Sequence, residues 1–204
     1  MNICGVILAG GKSSRMGRRK ELLEWKGRTL VEHLAEQVTA AGMTCLIVSN
    51  EPQQLPGALF QHPNVTVVRD QVDSRGPISG IVTAFRVRPE ECLLVLSCDL
   101  PFVHREHLAR LQEFGEKRSD WDGLVVQANG RVHPLFGLYR RRTQPLWEEA
   151  LRQGSYRLMT VLEKIRVTAI PEDLFDPWAA FNANTPEEFE TALLEQQKRE
   201  KRQP

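Results

Sequence analysis

Strand-like apolar runs alternate with amphipathic helical segments along this chain of 204 residues. The most apolar run, residues 92–97, predicts a buried strand, and a Thr29-x-x-Glu32 capping box before apolar residues at helical spacing predicts a helix. Strands joined by helices in this way favour a parallel sheet with right-handed crossovers. We therefore expect a three-layer α/β fold with a doubly wound, mostly parallel sheet of the Rossmann-like kind.

The second half of the chain indicates one exception to parallel pairing. Residues 124–127 and 132–139 are predicted strands on either side of Asn129-Gly130, a dipeptide that strongly favours a tight hairpin turn. Two strands joined by so short a turn must run in opposite directions. We therefore expect one antiparallel hairpin within the otherwise parallel sheet.

Composition narrows the class of protein. With 41% hydrophobic residues, the chain can bury the core of one domain, which we expect over residues 1–195, followed by a charged, disordered tail over residues 196–204. A net charge of +1 argues against a general nucleic-acid-binding protein. No apolar run is long enough for a membrane span, and the first strand leaves no room for a signal peptide. We expect a cytoplasmic protein without membrane partners.

A glycine-rich loop with a basic end follows the first predicted strand. The run from Ile3 to Lys20 reads I-C-G-V-I-L-A-G-G-K-S-S-R-M-G-R-R-K. Its glycines let backbone N–H groups approach a ligand closely, and the cations Arg15 and Lys20 can neutralise a polyphosphate. The loop matches neither the Walker pattern nor the G-x-G-x-x-G pattern of dinucleotide sites. We interpret it as a nucleoside triphosphate site; the alternative is a glycine-rich turn with a solvated basic face.

Three polar residues, Asn50, Asp70 and Asp99, each follow a predicted strand. Ligands of doubly wound sheets bind beyond the carboxyl ends of the strands, so we expect these side chains beside the glycine-rich loop. Asp99 is typical of a Mg²⁺ ligand, because Mg²⁺ takes one or two protein carboxylates together with phosphate oxygens; the alternative is a cap on the turn before Pro101. Taken alone, Asn50 and Asp70 favour turn stabilisation, but beside the loop they could contact a nucleotide.

The loop resembles the L-A-G-G-x-S-x-R-M-G-x-x-K signature of nucleotidyltransferases of the molybdenum cofactor guanylyltransferase type. Further motifs of that family occur in the same order and together cover nearly the whole chain. They are G-P-I-S-G at 76–80, D-L-P at 99–101, V-H-P-L-F-G at 132–137 and F-N-A-N-T-P-E-E at 181–188. The resemblance implies transfer of GMP from GTP to molybdopterin with release of pyrophosphate, and it implies Mg²⁺ as the cofactor.

Site residues are carried over from the family position by position. The resemblance implies that Asp99 holds Mg²⁺. We expect Asp99, Lys20 and Arg15 to be the catalytic residues, because the metal on Asp99 and the two cations would offset charge on the triphosphate. The residues that it implies bind GTP are Leu8, Ala9, Gly10, Lys20, Asn50, Asp70 and Asp99. From the chemistry of the loop itself, we expect Gly11 and Ser13 to bind GTP as well. Asn182 and Asn184 are implied on the molybdopterin side. GTP and molybdopterin are the implied substrates, and cofactor-delivery proteins or molybdoenzymes are candidate protein partners.

The sequence departs from the family pattern at one position. Many relatives have an acidic residue directly before the loop lysine, where this chain has Arg19. We expect Arg19 to act through its charge, as an added cation near the triphosphate whose attraction is screened by salt.

Two other functions stay open at this point. A cytidylyltransferase of the same cofactor pathway is disfavoured by Gly10-Gly11 and by the G-P-x-x-G segment. A non-catalytic GTP-binding adaptor would be expected to lose the metal carboxylate or the loop lysine, and both Asp99 and Lys20 are present.

Overall fold

A seven-stranded sheet forms the centre of the protein in the computed structural model, which describes residues 1–10, 19–71 and 76–202. The strands within those ranges are β1 (Ile3–Ala9), β2 (Glu24–Trp25), β3 (Arg28–Thr29), β4 (Thr44–Ser49), β5 (Val65–Arg69), β6 (Cys92–Ser97), β7 (Gly123–Ala128), β8 (Arg131–Arg140) and β9 (Val167–Ile170). The sheet order is β5-β4-β1-β6-β8-β7-β9, and β8 runs antiparallel to both of its neighbours. The other neighbouring strands pair in parallel, so the predicted mostly parallel sheet is confirmed.

Strands β7 and β8 form the predicted hairpin. Asn129 has a φ of 51° and Gly130 a φ of 71°, which is the left-handed backbone that an Asn-Gly turn requires. The pairing shifts within the hairpin, because Val125 pairs with Gly137 and the next residue of β7 pairs with His133. The additional residues of β8 form a bulge, a feature that redirects side chains at the end of a sheet.

Helices cover both faces of the sheet. They are α1 (Leu30–Ala40), α2 (Gly57–Gln61), α3 (Pro77–Val87), α4 (Arg105–Glu116), α5 (Gln144–Arg152), α6 (Leu158–Leu162) and α7 (Pro186–Arg202). Alternate residues of a strand face opposite layers: Cys92, Leu94 and Leu96 pack with α1 and α4, whereas Leu93 and Val95 pack with α3 and α5. Both faces of the sheet are therefore buried, as expected for three layers. Among the described helices, none has the length and apolar character needed to cross a membrane.

The C-terminal helix α7 extends further than the sequence suggests. It ends at Arg202, so residues 196–202 are helical where we expected a disordered tail. Arg199 forms ion pairs with Glu195, one turn earlier, and with Asp176 in the preceding loop, both at 3.0 Å. Charges paired at this spacing stabilise a helix, so the charged composition of the tail does not imply disorder here.

An aromatic cluster packs the short β2–β3 hairpin against α7. Trp25 contacts Phe102 with ring centroids 5.3 Å apart, and Phe102 contacts Trp178 at 5.2 Å. Lys20 precedes this hairpin and Asn182 follows the aromatic residues before α7. The cluster therefore fixes two segments of the candidate site that are far apart in sequence.

Candidate functional site

The carboxyl ends of neighbouring strands gather the predicted polar residues at one edge of the sheet. Strands β4, β1 and β6 are adjacent, and Asn50, Gly10 and Asp99 follow their ends, with Asp70 after the next strand, β5. A Cβ atom on Gly10 would lie 2.7 Å from Nδ2 of Asn50, so a larger residue there would force the Asn50 side chain to move. The predicted grouping of these residues is confirmed.

Two of the predicted GTP-binding residues, Leu8 and Ala9, lie at the end of β1. Leu8 and Ala9 end β1 with buried side chains, so a ligand at this edge would meet their backbone groups. Gly11, Ser13 and Arg15 lie outside the described residues.

Lys20 connects the loop to two other segments of the site. Its Nζ atom donates hydrogen bonds to Oδ1 of Asn184 at 2.6 Å and to Oδ2 of Asp99 at 3.3 Å. The backbone N–H of Ala183 also donates to the carbonyl oxygen of Asp99 at 2.9 Å, which holds the two segments together. Asn184, which we expected on the molybdopterin side, therefore lies against the lysine of the nucleotide loop.

Asp99 retains the capacity to bind a cation. Its side chain is 8% exposed, and its Oδ1 atom is buried with no hydrogen-bond partner among the described residues. An unpaired buried carboxylate oxygen is costly unless a ligand or ion satisfies it. The described part of the chain contains no cluster of three or more His, Cys, Asp or Glu that could hold a metal. A single carboxylate fits Mg²⁺, which takes its remaining ligands from phosphate oxygens and water.

Asp70 contacts α3 through both oxygens of its carboxylate. Ser79 Oγ donates to Oδ2 at 2.6 Å, and Thr83 Oγ1 donates to Oδ1 at 2.7 Å. The two hydroxyls lie one turn apart on the helix, so a single helix face binds the carboxylate. Asp70 thereby fixes the first turn of α3, whose N-terminal N–H groups favour an anionic ligand.

Asn182 lies in a different part of the site. It lines a cavity of about 260 Å³ at the ends of β6 and β8, together with Ser97, His133 and Leu158. The Oδ1 atom of Asn182 is buried and, among the described residues, lacks a hydrogen-bond donor. A ligand that offers an N–H or O–H group would satisfy this atom.

The thiol of Cys98, the residue directly before Asp99, is buried and is not activated as a nucleophile. Burial, reinforced by the negative charge of Asp99, raises the pKa of the Cys98 thiol well above its ordinary value. The thiol is therefore neutral near pH 7, and a neutral thiol is a poor nucleophile.

Comparison with known proteins identifies the family of this chain. Residues 5–169 match the family described as the MobA-like NTP transferase domain. The chain belongs to this family. It is 32% identical over 197 residues to a probable molybdenum cofactor guanylyltransferase of Carboxydothermus hydrogenoformans, a match that covers 94% of this chain and 95% of the relative. It is 30% identical over 194 residues to the protein of the same description from Bacillus subtilis, covering 93% of this chain and 94% of that one.

A solved structure supports the same relation. The crystal structure of molybdopterin-guanine dinucleotide biosynthesis protein A from Archaeoglobus fulgidus superposes with a TM-score of 0.80 and 26% sequence identity. The superposition covers 96% of this chain and 99% of that one. The protein is therefore a nucleotidyltransferase, and the family resemblance drawn from its motifs is confirmed.

The structure of this MobA-like domain also shows contacts that the sequence does not reveal. Arg19, expected to act as a free cation, donates through Nε to Oε1 of Glu21 at 2.8 Å and through Nη1 to Oε2 of Glu51 at 2.7 Å. Nothing in the local sequence marks Glu21 as buried, since it lies in a charged stretch. The Lys20–Asn184 contact joins residues 164 positions apart, so no local pattern could indicate it.

Proposed function

We propose that this protein is a molybdenum cofactor guanylyltransferase, which joins GMP from GTP to molybdopterin and releases pyrophosphate. The observation that carries this proposal is the Lys20–Asp99 pair at the carboxyl ends of β1 and β6, in a chain of the MobA-like family. Relatives described as probable molybdenum cofactor guanylyltransferases, matched over nearly their full lengths, support the choice of substrates.

The reaction is a displacement at phosphorus. An ionised oxygen of the terminal phosphate of molybdopterin attacks the α-phosphorus of GTP, and the bond between that phosphorus and the bridging oxygen to the β-phosphate breaks. Because the attacking phosphate is already ionised, no protein nucleophile is needed. The protein contributes by holding the two substrates together and by offsetting charge on the departing pyrophosphate.

On the nucleotide side, Lys20 is the central residue of the proposal. Its ammonium group offsets charge on the triphosphate, and Arg15 adds a second cation from the same loop. The proposed GTP contacts further include the backbone of residues 8–11, the hydroxyl of Ser13, and the side chains of Asn50 and Asp70. The contacts of Asp70 with α3 support a role in holding the helix N-terminus toward the phosphates.

Asp99 is the proposed Mg²⁺ ligand. Its buried Oδ1 atom, which has no partner among the described residues, supports this assignment. Bound there, Mg²⁺ would offset negative charge on the triphosphate. Because Lys20 lies against the other oxygen, the same carboxylate also orients the lysine toward the phosphates.

The cavity beside Asn182 is the proposed molybdopterin side of the site. Its volume of about 260 Å³ and its mixed polar and apolar lining suit one ring system of a small ligand. The pterin ring carries N–H donors, which match the unpaired Oδ1 atom of Asn182. Asn184, in contact with Lys20, lies at the boundary between the two substrates.

A direct assay tests the proposal. The purified protein is incubated with Mg²⁺, molybdopterin and either GTP or CTP, and the dinucleotide product is identified by mass spectrometry. We expect the guanine dinucleotide and pyrophosphate in equal amounts. Equal or better turnover with CTP would assign the protein to the cytidylyl branch, and nucleotide binding without any product would indicate an adaptor.

A further inference from the structure

We propose that Arg19 is a positioning residue, which holds Lys20 at the phosphate site by joining residues 19–21 to the segment after β4. This inference rests on the proposed function, because it assigns Lys20 to the triphosphate. It also replaces the expectation that Arg19 acts as an unattached cation.

The backbone directs the two side chains apart. Arg19 is extended, with φ −72° and ψ 121°, and the 3₁₀ turn Lys20–Leu22 begins immediately after it. Arg19 reaches Glu51, which lies just beyond the end of β4, whereas Lys20 reaches Asp99, beyond the end of β6. Strands β4 and β6 flank β1, so this segment spans the carboxyl ends of three neighbouring strands.

The contacts of Arg19 use the shape of its guanidinium group. The group donates to Glu21 within its own turn, and to Glu51 and Gln54 on the segment after β4. A planar fork can hold several acceptors at fixed directions, whereas a lysine ammonium is a single mobile point charge. The guanidinium therefore links two backbone segments in a way that lysine cannot reproduce.

Because Glu21 is buried, breaking its ion pair with Arg19 would destabilise the protein. The side chain of Glu21 is 4% exposed, that of Arg19 is 25% exposed and that of Glu51 is 50% exposed. A buried carboxylate that loses its cation is strongly destabilising, so Arg19 stays with Glu21. Glu51 and Gln54 then connect the Arg19–Glu21 pair to the segment after β4, and in this way they position the adjacent Lys20.

The same contacts argue against a role in bulk attraction. Two carboxylates more than offset the charge of Arg19, so the cluster adds no net positive potential toward a triphosphate. The contacts of Arg19 instead fix the position of the adjacent Lys20. Small displacements of a group that acts on the transition state lower the rate strongly, by up to about a hundredfold for roughly 1 Å.

Two variants separate positioning from charge. Arg19→Lys keeps the charge but loses the fork, and Glu51→Gln removes a negative charge while leaving the Arg19–Glu21 pair intact. We expect Arg19→Lys to lower kcat about tenfold and Glu51→Gln about threefold, at both low and high salt. If Arg19 acted through charge, Arg19→Lys would match the wild type and Glu51→Gln would improve the KM for GTP in low salt. Arg28→Lys, in the exposed ion pair with Glu36, is the matched control.

A second readout does not depend on turnover. In the nucleotide-free protein, reductive methylation with formaldehyde and cyanoborohydride reports how readily each lysine reacts, with peptide mass spectrometry to locate the label. We expect faster modification of Lys20 in Arg19→Lys and Glu51→Gln and an unchanged rate at Lys117, which is remote and exposed. Wild-type rates of Lys20 modification in both variants would overturn the proposal, even if the wild-type protein proved to use different substrates.

Discussion

Lys20 is the residue at which the proposed GTP and molybdopterin sides of this nucleotidyltransferase meet. Its ammonium group lies 2.6 Å from Oδ1 of Asn184 and 3.3 Å from Oδ2 of Asp99. The first contact belongs to a motif that the family resemblance places on the molybdopterin side. The two asparagines of that motif, Asn182 and Asn184, are therefore expected to serve different substrates.

Alanine variants of these asparagines test the separation. We expect Asn184→Ala to lower kcat roughly tenfold, because Lys20 loses a hydrogen-bond acceptor worth about 1.4 kcal/mol. We expect Asn182→Ala to raise the KM for molybdopterin by a similar factor with little change in kcat. Steady-state kinetics with each substrate varied in turn provide the measurement. The separation is wrong if both variants alter the same constant.

Asp99 gives a second prediction at the scale of one residue. Asp99→Asn keeps the side-chain shape but replaces a carboxylate with an amide that Mg²⁺ binds poorly. We expect transfer to fall by at least about a hundredfold, while the melting temperature stays close to that of the wild type. Turnover across a Mg²⁺ titration and a thermal melt are the two measurements. Near-normal turnover at low Mg²⁺ in a folded Asp99→Asn protein would remove Asp99 from the metal site.

At the scale of elements, the bulge in β8 depends on Gly137. A Cβ atom there would lie 2.6 Å from the carbonyl oxygen of Leu124 on the paired strand, closer than real Cβ contacts allow. Gly137→Ala must therefore push the hairpin strands apart, and we expect it to lower the free energy of unfolding by about 1–3 kcal/mol. Urea unfolding measures this change.

The control for this prediction is another glycine substitution. Gly57→Ala, at the start of α2, would meet no atom of the described residues within 4 Å, and its backbone is outside the left-handed region. We expect it to leave stability unchanged or to raise it by about 0.4–1 kcal/mol through the unfolded state. Equal effects at both glycines would show that the bulge tolerates a side chain.

The elements that the sequence predicts well are those with long, regular apolar patterns. The buried runs of β1, β4 and β6 and the capping box of α1, where Glu32 N donates to Thr29 Oγ1 at 3.4 Å, match the structure closely. The β2–β3 hairpin is not evident from the sequence, because its strands have two residues each and because Lys26, with a φ of 51°, takes the first left-handed position of its turn, before Gly27. Lysine gives no sequence signal for a left-handed turn, unlike Asn or Gly.

The residues of the candidate site also divide into those that the sequence predicts and those that it does not. Residues that closely follow strand ends, such as Asn50 and Asp99, are predictable because the topology of a doubly wound sheet brings strand ends together. The Arg19–Glu21–Glu51 contacts are not, since they depend on the conformation of the chain between strands. Loop conformation is set by tertiary packing, here by the aromatic cluster around Trp25, and not by local periodicity.

At the scale of the whole molecule, three histidines mark where acid should weaken the fold. His33 of α1 and His107 of α4 are buried on either side of His104, with ring centroids 5.9 Å and 5.7 Å from it. Burial lowers the pKa of His33 to about 4 and that of His107 to about 4, and the nearby His104 acts in the same direction. Lys26, Arg28 and Arg110 also disfavour the protonated forms, whereas Asp176 and Glu106 partly offset this for His107.

The lowered pKa values of His33 and His107 make the folded state less stable in acid. In the unfolded chain a histidine has its ordinary pKa of about 6.5, so between pH 6.5 and pH 4 the unfolded state binds more protons than the folded state. Stability is therefore fully present above pH 6.5 and is lost as the pH falls toward 4, on the order of 3 kcal/mol for each buried histidine. Because His33 stacks edge-on against Trp25, we expect loosening to begin where α1 meets the aromatic cluster.

Replacing one histidine tests this account. His33→Phe keeps an aromatic ring against Trp25 but cannot be protonated, so we expect it to lose markedly less stability than the wild type between pH 7 and pH 5. Urea unfolding at several pH values gives the comparison, and His62→Gln, which changes an exposed histidine, is the control. Because the aromatic cluster also fixes the segments that carry Lys20 and Asn182, the loss of transfer activity in acid should follow the loss of stability. An unchanged pH profile of unfolding in His33→Phe would show that acid acts on the fold elsewhere.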